Sequence, residues 1–538
     1  MAVVDVAPHL PAAQPELLAH ARRLDWRFLL HREELGRVAY LGEEDRSLLD
    51  ALEATAGELE RPGADAGATY DVVVLRNPDR RSVERARSLV RPGGSVYVEI
   101  ERPVRRRLAG LRAPRRTRKA LHGLGFGEVT LRWHWPCFER CAQIVPLDAQ
   151  GVVGYALEQR GIRRSARART WRDRVLRTFG LLPAFAPSVS IVARAPGPGD
   201  GEPAIVRAVR RVVSRDELSR RRLADGAHAL LITPRFRTSR HVVGLLFPLG
   251  AAVPELVAKV PRLPGDNEGV ANETIVLGDI GARPVPEGTI PRVVGYGPAG
   301  HRSVLVQSAL GGKPLTPTRL RSEPAAHIGS VLAWLADVAK ATGGVDSFAA
   351  WETLIAQPLQ AFAAGSRRDS EEAALVARTL ELTAPLADTA LRLGAEHGDL
   401  SHPNLLVTDG GGVGVIDWEH GQLHGLPLQD ACYFLAFAVF ARAGARGVAE
   451  ELAAFDQAFV RSGGWAAQEL GAFAWRTGVP QELVTPLFVA CWARAAVRMR
   501  YRLDEGAAAT NGEWVRESRY YVLWRHALEH ASQLQWEA

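Results

Sequence analysis

The 538-residue sequence predicts two domains of different class, an α/β domain in front and an α+β domain behind it. Three observations support this prediction. The chain is longer than the about 250–300 residues that a single hydrophobic core commonly supports. Before residue 195, continuous apolar segments alternate with helical ones, as is typical of a parallel sheet covered by helices. After residue 225, short apolar segments come first and long helical segments follow them.

The front domain, residues 1–195, is predicted from strands and helices that follow one another along the chain. The predicted strands are Arg37–Leu41, Asp71–Leu75, Ser95–Ile100, Glu128–His134 and Ser188–Ala193, and the predicted helices are Ser47–Glu60, Arg81–Leu89 and Arg115–Leu124. This order of elements resembles the later half of a Rossmann-like class I methyltransferase fold. Gly42, however, is followed by Glu43, Glu44 and Asp45, where such enzymes bring a glycine-rich turn against S-adenosylmethionine. The resemblance therefore implies a degenerate methyltransferase-like domain, with an active one as the alternative.

A stretch rich in proline and glycine, residues 196–203, is predicted to be a linker between the two domains. A helix over Arg207–Leu223 is expected to follow it. The strands predicted next are Ala229–Ile232, Val242–Phe247, Glu255–Val260, Arg292–Gly297 and Ser303–Gln307. The helices predicted after them are Ala325–Ala341, Ala373–Leu393, Ala431–Ala443, Ala449–Arg461, Gln481–Leu503 and Trp514–Gln533.

The residues around a predicted β-hairpin indicate the chemistry of the second domain. The segments Leu405–Val407 and Val413–Ile416 are predicted strands, joined by a glycine-rich turn. Asn404 precedes the first strand and Asp417 follows the second, and the open ends of an antiparallel hairpin lie together. Their oxygen atoms are ligands of the kind that Mg²⁺ prefers. Asp399, five residues before Asn404, is placed to accept a proton from a substrate hydroxyl, so the stretch predicts phosphoryl transfer.

The spacing His397-x-Asp399-x4-Asn404, with a further aspartate after the hairpin, resembles the catalytic loop of kinases. The form found here, H-G-D-L-S-H-P-N followed by I-D-W-E, resembles the aminoglycoside phosphotransferase and choline kinase family over residues 225–538. The resemblance implies a protein-kinase-like bilobal fold, with an N-lobe at 204–310 and a helical C-lobe at 311–538. It also implies ATP, Mg²⁺ and a small-molecule acceptor whose hydroxyl is phosphorylated, such as a sugar, amino sugar, amino alcohol or antibiotic-like compound.

The resemblance assigns roles to individual residues. Asp399 is the catalytic residue, Asn404 and Asp417 bind the metal, and Lys259 with Glu273 positions the phosphates of ATP. Lys259 is one of only four lysines and lies within an apolar strand, where a buried ammonium group needs a partner. Three residues are expected to contact the nucleotide from loops, namely Ser239 between the first two strands, and Ser308 and Ala309 at the hinge between the lobes. Two residues are expected to support the catalytic loop, namely His397 and Asp430.

Composition limits the other classes of function. The four cysteines predict neither a disulfide framework nor a zinc site, and the apolar runs are too short for a transmembrane segment, so a cytoplasmic protein is expected. The net charge of +7 comes almost entirely from arginine, with dense runs at Arg102–Lys119 and Arg160–Arg177. Neither run is flanked by aromatic residues suited to base stacking, so nucleic-acid binding is not expected.

Two other functions stay open at the level of sequence. One is a pseudokinase-type scaffold whose front domain binds a partner protein. The other is a bifunctional protein with an active S-adenosylmethionine-dependent methyltransferase domain. The first is disfavoured because the residues that the chemistry requires are present, and the second because of the carboxylates after Gly42.

Overall fold

The computed structural model describes residues 15–63, 68–101, 113–160, 186–198, 201–233, 239–365, 370–408, 410–504 and 517–536. The chain forms two compact units. The first contains the residues up to Ala271 together with Val293–Ala309, and the second contains Asn272–Arg292 together with the residues from Leu310 onward. Most of both arginine-rich runs lies outside the described residues.

One extended sheet forms the centre of the first unit. Its strands are β1 (Arg37–Gly42), β2 (Glu58–Glu60), β3 (Tyr70–Arg76), β4 (Val90–Glu101), β5 (Gly127–Trp135), β6 (Gln143–Pro146), β7 (Ser188–Arg194), β8 (Ala227–Ile232), β9 (His241–Pro248), β10 (Leu256–Pro261), β11 (Val293–Ala299) and β12 (Arg302–Ser308). Among the described residues these twelve strands lie in the order β11-β12-β10-β9-β8-β6-β5-β7-β4-β3-β1-β2. The strands β2, β1, β3 and β4 are parallel. Every other pair of neighbouring strands described in the sheet is antiparallel.

Helices cover this sheet, and several begin at a side chain that caps them. They are α1 (Pro15–Arg23), α2 (Arg46–Thr55), α3 (Arg80–Leu89), α4 (Ala113–Gly123), α5 (Gln150–Arg160), α6 (Ala204–Val212) and α7 (Arg215–Arg220), and α8 (Glu268–Gly281) contributes residues to both units. Asp45 and Asp79 each accept a hydrogen bond from a backbone N–H in the first turn of the helix that follows, which satisfies a group that the helix leaves unpaired.

The structure corrects two helices that the sequence predicts in this unit. The predicted helix Ser47–Glu60 ends at Thr55, because the last residues form β2 and pair with β1. The predicted helix Arg207–Leu223 is two helices, α6 and α7. The Ser214 side chain accepts a hydrogen bond from the backbone N–H of Glu217 and so begins the second helix.

The predicted linker does not separate two sheets. Strand β6 pairs with β8 through Gln143–Ile232 and Ile144–Leu231, so one sheet continues on both sides of residues 196–203. The backbone of Pro196 accepts a hydrogen bond from Gly93. The backbone N–H of Ala204 donates to the carbonyl of Leu30 at 2.7 Å. The division into compact units therefore differs from the predicted domains, and it falls beside the predicted hinge, between Ala309 and Leu310.

The second unit is mainly helical. Its helices are α9 (Pro317–Ser322), α10 (Pro324–Thr342), α11 (Gln357–Gly365), α12 (Ser370–Thr383), α13 (Gln429–Ala443), α14 (Val448–Phe455), α15 (Trp465–Thr477), α16 (Gln481–Asp504) and α17 (Arg519–Glu529). Its strands are β13 (Lys313–Pro314), β14 (Val345–Ser347), β15 (Leu391–Glu396), β16 (Leu405–Val407), β17 (Val413–Val415) and β18 (Gln422–Gly425). They form two small sheets, β13-β16-β17 and β14-β15-β18.

Here too the structure revises the sequence-based elements. The predicted helix Ala373–Leu393 ends at Thr383, and its last residues belong to β15, which pairs with β14 and β18. Helix α15 was not predicted. The first residues of the predicted helix Trp514–Gln533 lie outside the described residues, and α17 begins at Arg519. Within the described ranges, no single helix is long and apolar enough to cross a membrane. The helix α13 and the helical segment Val448–Val460 together have that length and apolarity, but they are bent by 110° relative to each other.

Candidate active site

The predicted hairpin is present in the second unit. Strand β16 pairs with β17 in the register Leu405–Val415, Leu406–Gly414 and Val407–Val413. At its open end, the backbone N–H of Ile416 donates to the carbonyl of Asn404 at 3.0 Å. Asn404 therefore lies opposite the residue that immediately precedes Asp417, as the sequence predicts.

Asp417 and Asn404 offer oxygen atoms at this end of the hairpin. Asp417 has a left-handed backbone with φ of +74°. Such a conformation costs a non-glycine residue about 1–2 kcal/mol and is concentrated at functional sites. The Nδ2 of Asn404 donates to the carbonyl of Asp399 at 2.9 Å, so its Oδ1 points away from that carbonyl. One carboxylate and one amide oxygen fit Mg²⁺, which takes few protein ligands and completes its shell with water and phosphate.

A larger protein-only metal site is not found in the described part of the chain, where no three His, Cys, Asp or Glu side chains cluster suitably. This result is compatible with Mg²⁺ held by Asn404 and Asp417, because that ion is seldom enclosed by protein ligands alone. The assignment of these two residues to the metal remains a proposal.

The carboxylate of Asp399 is held from the side by a tyrosine that the sequence analysis missed. The hydroxyl of Tyr433, on α13, donates to Oδ1 of Asp399 at 3.0 Å. A second hydroxyl, that of Tyr520, lies 2.6 Å from the Tyr433 hydroxyl. Burial, followed by the charge of Asp399, raises the pKa of Tyr433 well above its usual value. Tyr433 thus stays protonated and fixes one oxygen of the carboxylate.

His397 has a structural role in the loop. Its Nε2 lies 3.0 Å from the carbonyl of Ile416, and its Nδ1 accepts a hydrogen bond from the backbone N–H of Asp399 at 3.3 Å. A carbonyl can only accept, so Nε2 carries the proton and Nδ1 does not. Both ring nitrogens are engaged by the backbone, which supports the predicted structural role of His397.

Asp430, the other predicted supporting residue, caps the loop from the start of α13. Its two carboxylate oxygens accept from the backbone N–H groups of His397 and Gly398 at 2.6 and 3.0 Å. Gly398 has φ of +78°, and a Cβ there would lie 2.6 Å from the carbonyl oxygen of His420. The turn that presents Asp399 therefore requires glycine at position 398 and an acceptor at position 430.

A buried ion cluster beneath the loop was also missed by the sequence analysis. Glu396 binds two arginines of α16, with Arg494 Nη1 at 2.9 Å and Arg498 Nη2 at 2.6 Å. Arg498 also donates to the carbonyl of Gly398 at 3.2 Å and so ties α16 to the catalytic loop. The spacing of these arginines, four residues apart on one helix, was a usable indication that they share a face.

The charges in this cluster shift two carboxyl groups in opposite directions. Burial would raise the pKa of Glu396, but the two guanidinium groups lower it to about 2. Burial, and then the negative charge of Glu396, raise the pKa of Asp430 to about 7. The cluster therefore holds one firmly ionised carboxylate directly before the catalytic loop.

Helix α8 contacts the segment that follows Asp417. The carboxylate of Glu273, which is fully buried, accepts from the backbone N–H of Trp418 at 3.3 Å. The Nδ2 of the neighbouring Asn272 donates to the carbonyls of Glu419 and Gly421, both at 3.0 Å. Glu273 therefore supports the backbone next to Asp417. Its predicted pairing with Lys259, which belongs to the other unit, stays a prediction.

The remaining predicted nucleotide contacts lie in the first unit. Lys259 is 5% exposed on β10, between Val243 of β9 and Leu305 of β12, so it occupies an interior strand of the sheet. Ser308 ends β12, and the backbone N–H of Ala309 donates to the carbonyl of Glu255 at 3.1 Å. That N–H is already engaged, so an adenine ring would have to meet other backbone groups of the hinge.

Ser239 lies beside an arginine. Its hydroxyl oxygen accepts from Nη1 of Arg262 at 3.0 Å, and the hydroxyl lies 3.4 Å from the carbonyl of His241. The neighbouring Arg240 pairs with Asp266 at 2.7 Å. The hydroxyl of Ser239 thus has partners within the protein, and its predicted contact with the nucleotide remains a proposal.

Comparison with protein families gives one match. Residues 248–473 match the phosphotransferase enzyme family, APH. The matched segment contains Lys259, Glu273 and the whole stretch from Glu396 to Asp430, so it confirms the predicted family resemblance for these residues and supports a small-molecule phosphotransferase. The front region, residues 1–195, lies outside the matched segment, and its likeness to methyltransferases stays a prediction. Among curated proteins, none matches this chain in sequence.

Several solved structures resemble the chain distantly. A thermostable mutant of aminoglycoside phosphotransferase APH(4)-Ia is 14% identical with a TM-score of 0.37, and the likeness covers 58% of this chain and 99% of that one. Choline kinase LicA from Streptococcus pneumoniae is 12% identical with a TM-score of 0.35, covering 55% and 89%. APH(3'')-Id from Streptomyces rimosus, in complex with ADP and streptomycin, is 16% identical with a TM-score of 0.32, covering 47% and 90%. The case for phosphotransferase chemistry rests on the family match and on the geometry of the loop that presents Asp399, and not on these structures.

Proposed function

We propose that the protein is an ATP-dependent phosphotransferase that transfers the γ-phosphoryl group to a hydroxyl of a small molecule. The observation that carries this proposal is the loop from Glu396 to Asn404. It holds the Asp399 carboxylate beside the open end of the hairpin, where Asn404 and Asp417 both lie. The family match over residues 248–473 supports the same reaction class.

The proposed step is a transfer in which little covalent chemistry falls to the protein. One oxygen of Asp399 is held by Tyr433, and the carboxylate orients the acceptor hydroxyl and accepts its proton. The hydroxyl oxygen forms a bond to the γ-phosphorus while the bond to the β-phosphate oxygen breaks, so that ADP leaves. When bound at Asn404 and Asp417, Mg²⁺ would neutralise charge on the phosphates. Lys259 is proposed to hold the α- and β-phosphates.

We propose no second activity for the front region. In its parallel strands, Arg76 is the last residue of β3 and Glu99 lies near the end of β4, and the two side chains pair at 3.3 Å. Arg23 also binds Glu99 at 2.8 Å, and Asp45 lies 3.3 Å from Arg76. Ligands of open α/β sheets bind outside the carboxyl ends of parallel strands. There the chain places its own buried ion network, which supports a methyltransferase-like domain without S-adenosylmethionine binding.

The test combines nucleotide binding with turnover. We expect calorimetry to detect Mg·ATP binding to the full chain, and a coupled assay for ADP release to detect turnover with some members of a panel of hydroxylated small molecules. Asp417→Ala should abolish turnover because the metal loses its carboxylate, and Asp399→Ala should abolish turnover while it spares Mg·ATP binding. S-adenosylmethionine should give no binding heat.

Two results would count against the proposal. Turnover retained in Asp417→Ala would reject the metal assignment. Absence of any Mg·ATP binding to the folded wild-type chain would reject the enzyme and favour the scaffold.

A further inference from the structure

The front region shares one hydrophobic core with β10, the strand that carries Lys259, and with its neighbour β12. Leu24, Trp26, Phe28 and Leu29, from the segment after α1, belong to the same buried cluster as Val260 of β10 and Val304 and Val306 of β12. Together with the pairing of β6 and β8, this shared core makes the front region part of the same compact unit as Lys259. The strand that carries Lys259 therefore packs against residues of the front region.

A fully buried ion pair joins the two parts of the unit. Arg262, which directly follows β10, is 0% exposed, and Asp25 is 1% exposed. The guanidinium meets the carboxylate as a fork, with Nε to Oδ1 at 2.9 Å and Nη2 to Oδ2 at 2.8 Å. Such a fork fixes the direction of the arginine side chain as well as its position.

The third nitrogen of the same guanidinium holds Ser239. Arg262 Nη1 donates to the carbonyl oxygen of Ser239 and, at 3.0 Å, to its hydroxyl oxygen. Ser239 lies two residues before β9, and the family resemblance implies that it contacts the nucleotide. Because Asp25 fixes Nε and Nη2, it also sets where Nη1 points.

The backbone of Arg262 is fixed from both sides as well. Its N–H donates to the carbonyl of Arg240 at 2.8 Å. Its carbonyl accepts from Arg27 and, at 3.3 Å, from Arg302. The strand end three residues after Lys259 is therefore held by side chains of the front region and of β12.

We propose that Asp25, acting through Arg262, is a positioning residue for the nucleotide-binding strands, so that the front region is a permanent part of the nucleotide-binding machinery. The proposal rests on the proposed function, because Lys259 and Ser239 are its proposed nucleotide contacts. Asp25 itself is assigned no contact with substrate. Its role is to hold Ser239 and the end of the Lys259 strand in position through Arg262.

The experiment measures Mg·ADP affinity by calorimetry on the full chain, since this probe needs no acceptor. Asp25→Asn keeps the shape of the side chain but removes the charge and replaces one oxygen with an amide that cannot accept from Arg262. We expect the dissociation constant to rise about tenfold in a variant that is still folded at the assay temperature. The melting temperature should fall as well, because the buried Arg262 loses its counter-ion. Glu58→Gln is the matched control. It removes one negative charge from the same unit at an exposed ion pair with Arg37, and its affinity should equal that of wild type.

A double-variant comparison separates positioning from a general loss of structure. Arg262→Lys keeps a positive charge opposite Asp25 but lacks the fork that reaches Ser239, so it should weaken Mg·ADP to a similar degree as Asp25→Asn. The double variant Asp25→Asn/Arg262→Lys should bind no more weakly than Arg262→Lys alone, because both changes break one connection. Additive losses would overturn the proposal.

Hydrogen exchange of the wild-type chain decides the matter if the variants fail to fold. Mg·ADP should slow exchange at the amides of residues 25–30 as well as at 239–242, because the two segments share Arg262. An unchanged exchange rate at 25–30, or a folded Asp25→Asn variant with wild-type affinity, would overturn the proposal. Failure of wild type to bind Mg·ADP would instead reject the proposed function itself.

Discussion

Replacing Glu396 by glutamine tests the ion cluster beneath the catalytic loop. The pKa of this carboxyl is lowered from 4.5 to about 2 in the folded protein. Lowering the pKa from 4.5 to about 2 corresponds to about 3 kcal/mol of stability for the ionised form, since each tenfold change in the ionisation constant is about 1.4 kcal/mol. The residue is 2% exposed, so screening by solvent reduces this value little. We therefore expect Glu396→Gln to lower the free energy of unfolding by about 3 kcal/mol or more at pH 7, because Arg494 and Arg498 also lose their counter-ion.

The sign of the pH dependence follows from the direction of the shift. A carboxyl with a lowered folded-state pKa contributes its full stability above pH 4.5, and it loses that contribution as the pH falls toward 2. The wild type should therefore lose stability on acidification in a way that the variant does not. By this reasoning the difference between the two proteins shrinks to about 1 kcal/mol at pH 3.

The measurement is urea unfolding at pH 7 and pH 3, followed by the far-ultraviolet signal of helices, which dominate the second unit. Glu482→Gln serves as the control, since Glu482 is an exposed residue at the start of the same helix that carries both arginines. A gap between wild type and Glu396→Gln that is equal at both pH values would refute the reasoning. So would a Glu396→Gln variant as stable as Glu482→Gln at pH 7.

Three further predictions concern the loop that presents Asp399 and the front region. Tyr433→Phe should lower turnover about tenfold with little change in Mg·ATP affinity, because one hydrogen bond to Asp399 is lost; unchanged turnover in the coupled assay would contradict this. Gly398→Ala should lower the melting temperature and abolish turnover, since the left-handed backbone costs about 1–2 kcal/mol and the new Cβ meets the His420 carbonyl; calorimetric scanning checks it. A fragment beginning at residue 204 should aggregate, because it exposes the edge of β8 and the core shared with Phe28; a monodisperse, cooperatively melting fragment would be the opposite result.

Local sequence was sufficient for the hairpin and its flanking residues. The strands β16 and β17, the turn between them, and the positions of Asn404 and Asp417 all depend on residues within a short stretch of chain. The same holds for the strand of Lys259, which is a continuous apolar run. Asp430 is predicted to support the loop, and in the structure its carboxylate accepts from two backbone N–H groups of that loop.

Errors occurred where a distant partner overrides local preference. Leu391–Leu393 are predicted as the end of a helix, yet they begin the strand β15, because β14 and β18 supply its hydrogen bonds. Glu58–Glu60 are likewise predicted as the end of a helix, and they form the strand β2 because β1 pairs with them. Residues 196–203 have the composition of a linker, and composition cannot reveal that β6 and β8 pair across it.

By itself, then, the sequence predicted the resemblance to the phosphotransferase enzyme family, which residues 248–473 match, and the candidate chemistry at Asp399, because both depend on short motifs. Only the tertiary structure decided which charges hold that chemistry in place. Glu396 meets arginines about a hundred residues later in the chain, and Asp25 meets Arg262 across 237 residues. The spacing of Arg494 and Arg498 indicates that they share a helix face, but the sequence does not show which acidic residue pairs with them, because a buried charged residue has the same local pattern as an exposed one. Their partners are chosen by the packing of helices and strands and not by neighbouring residues.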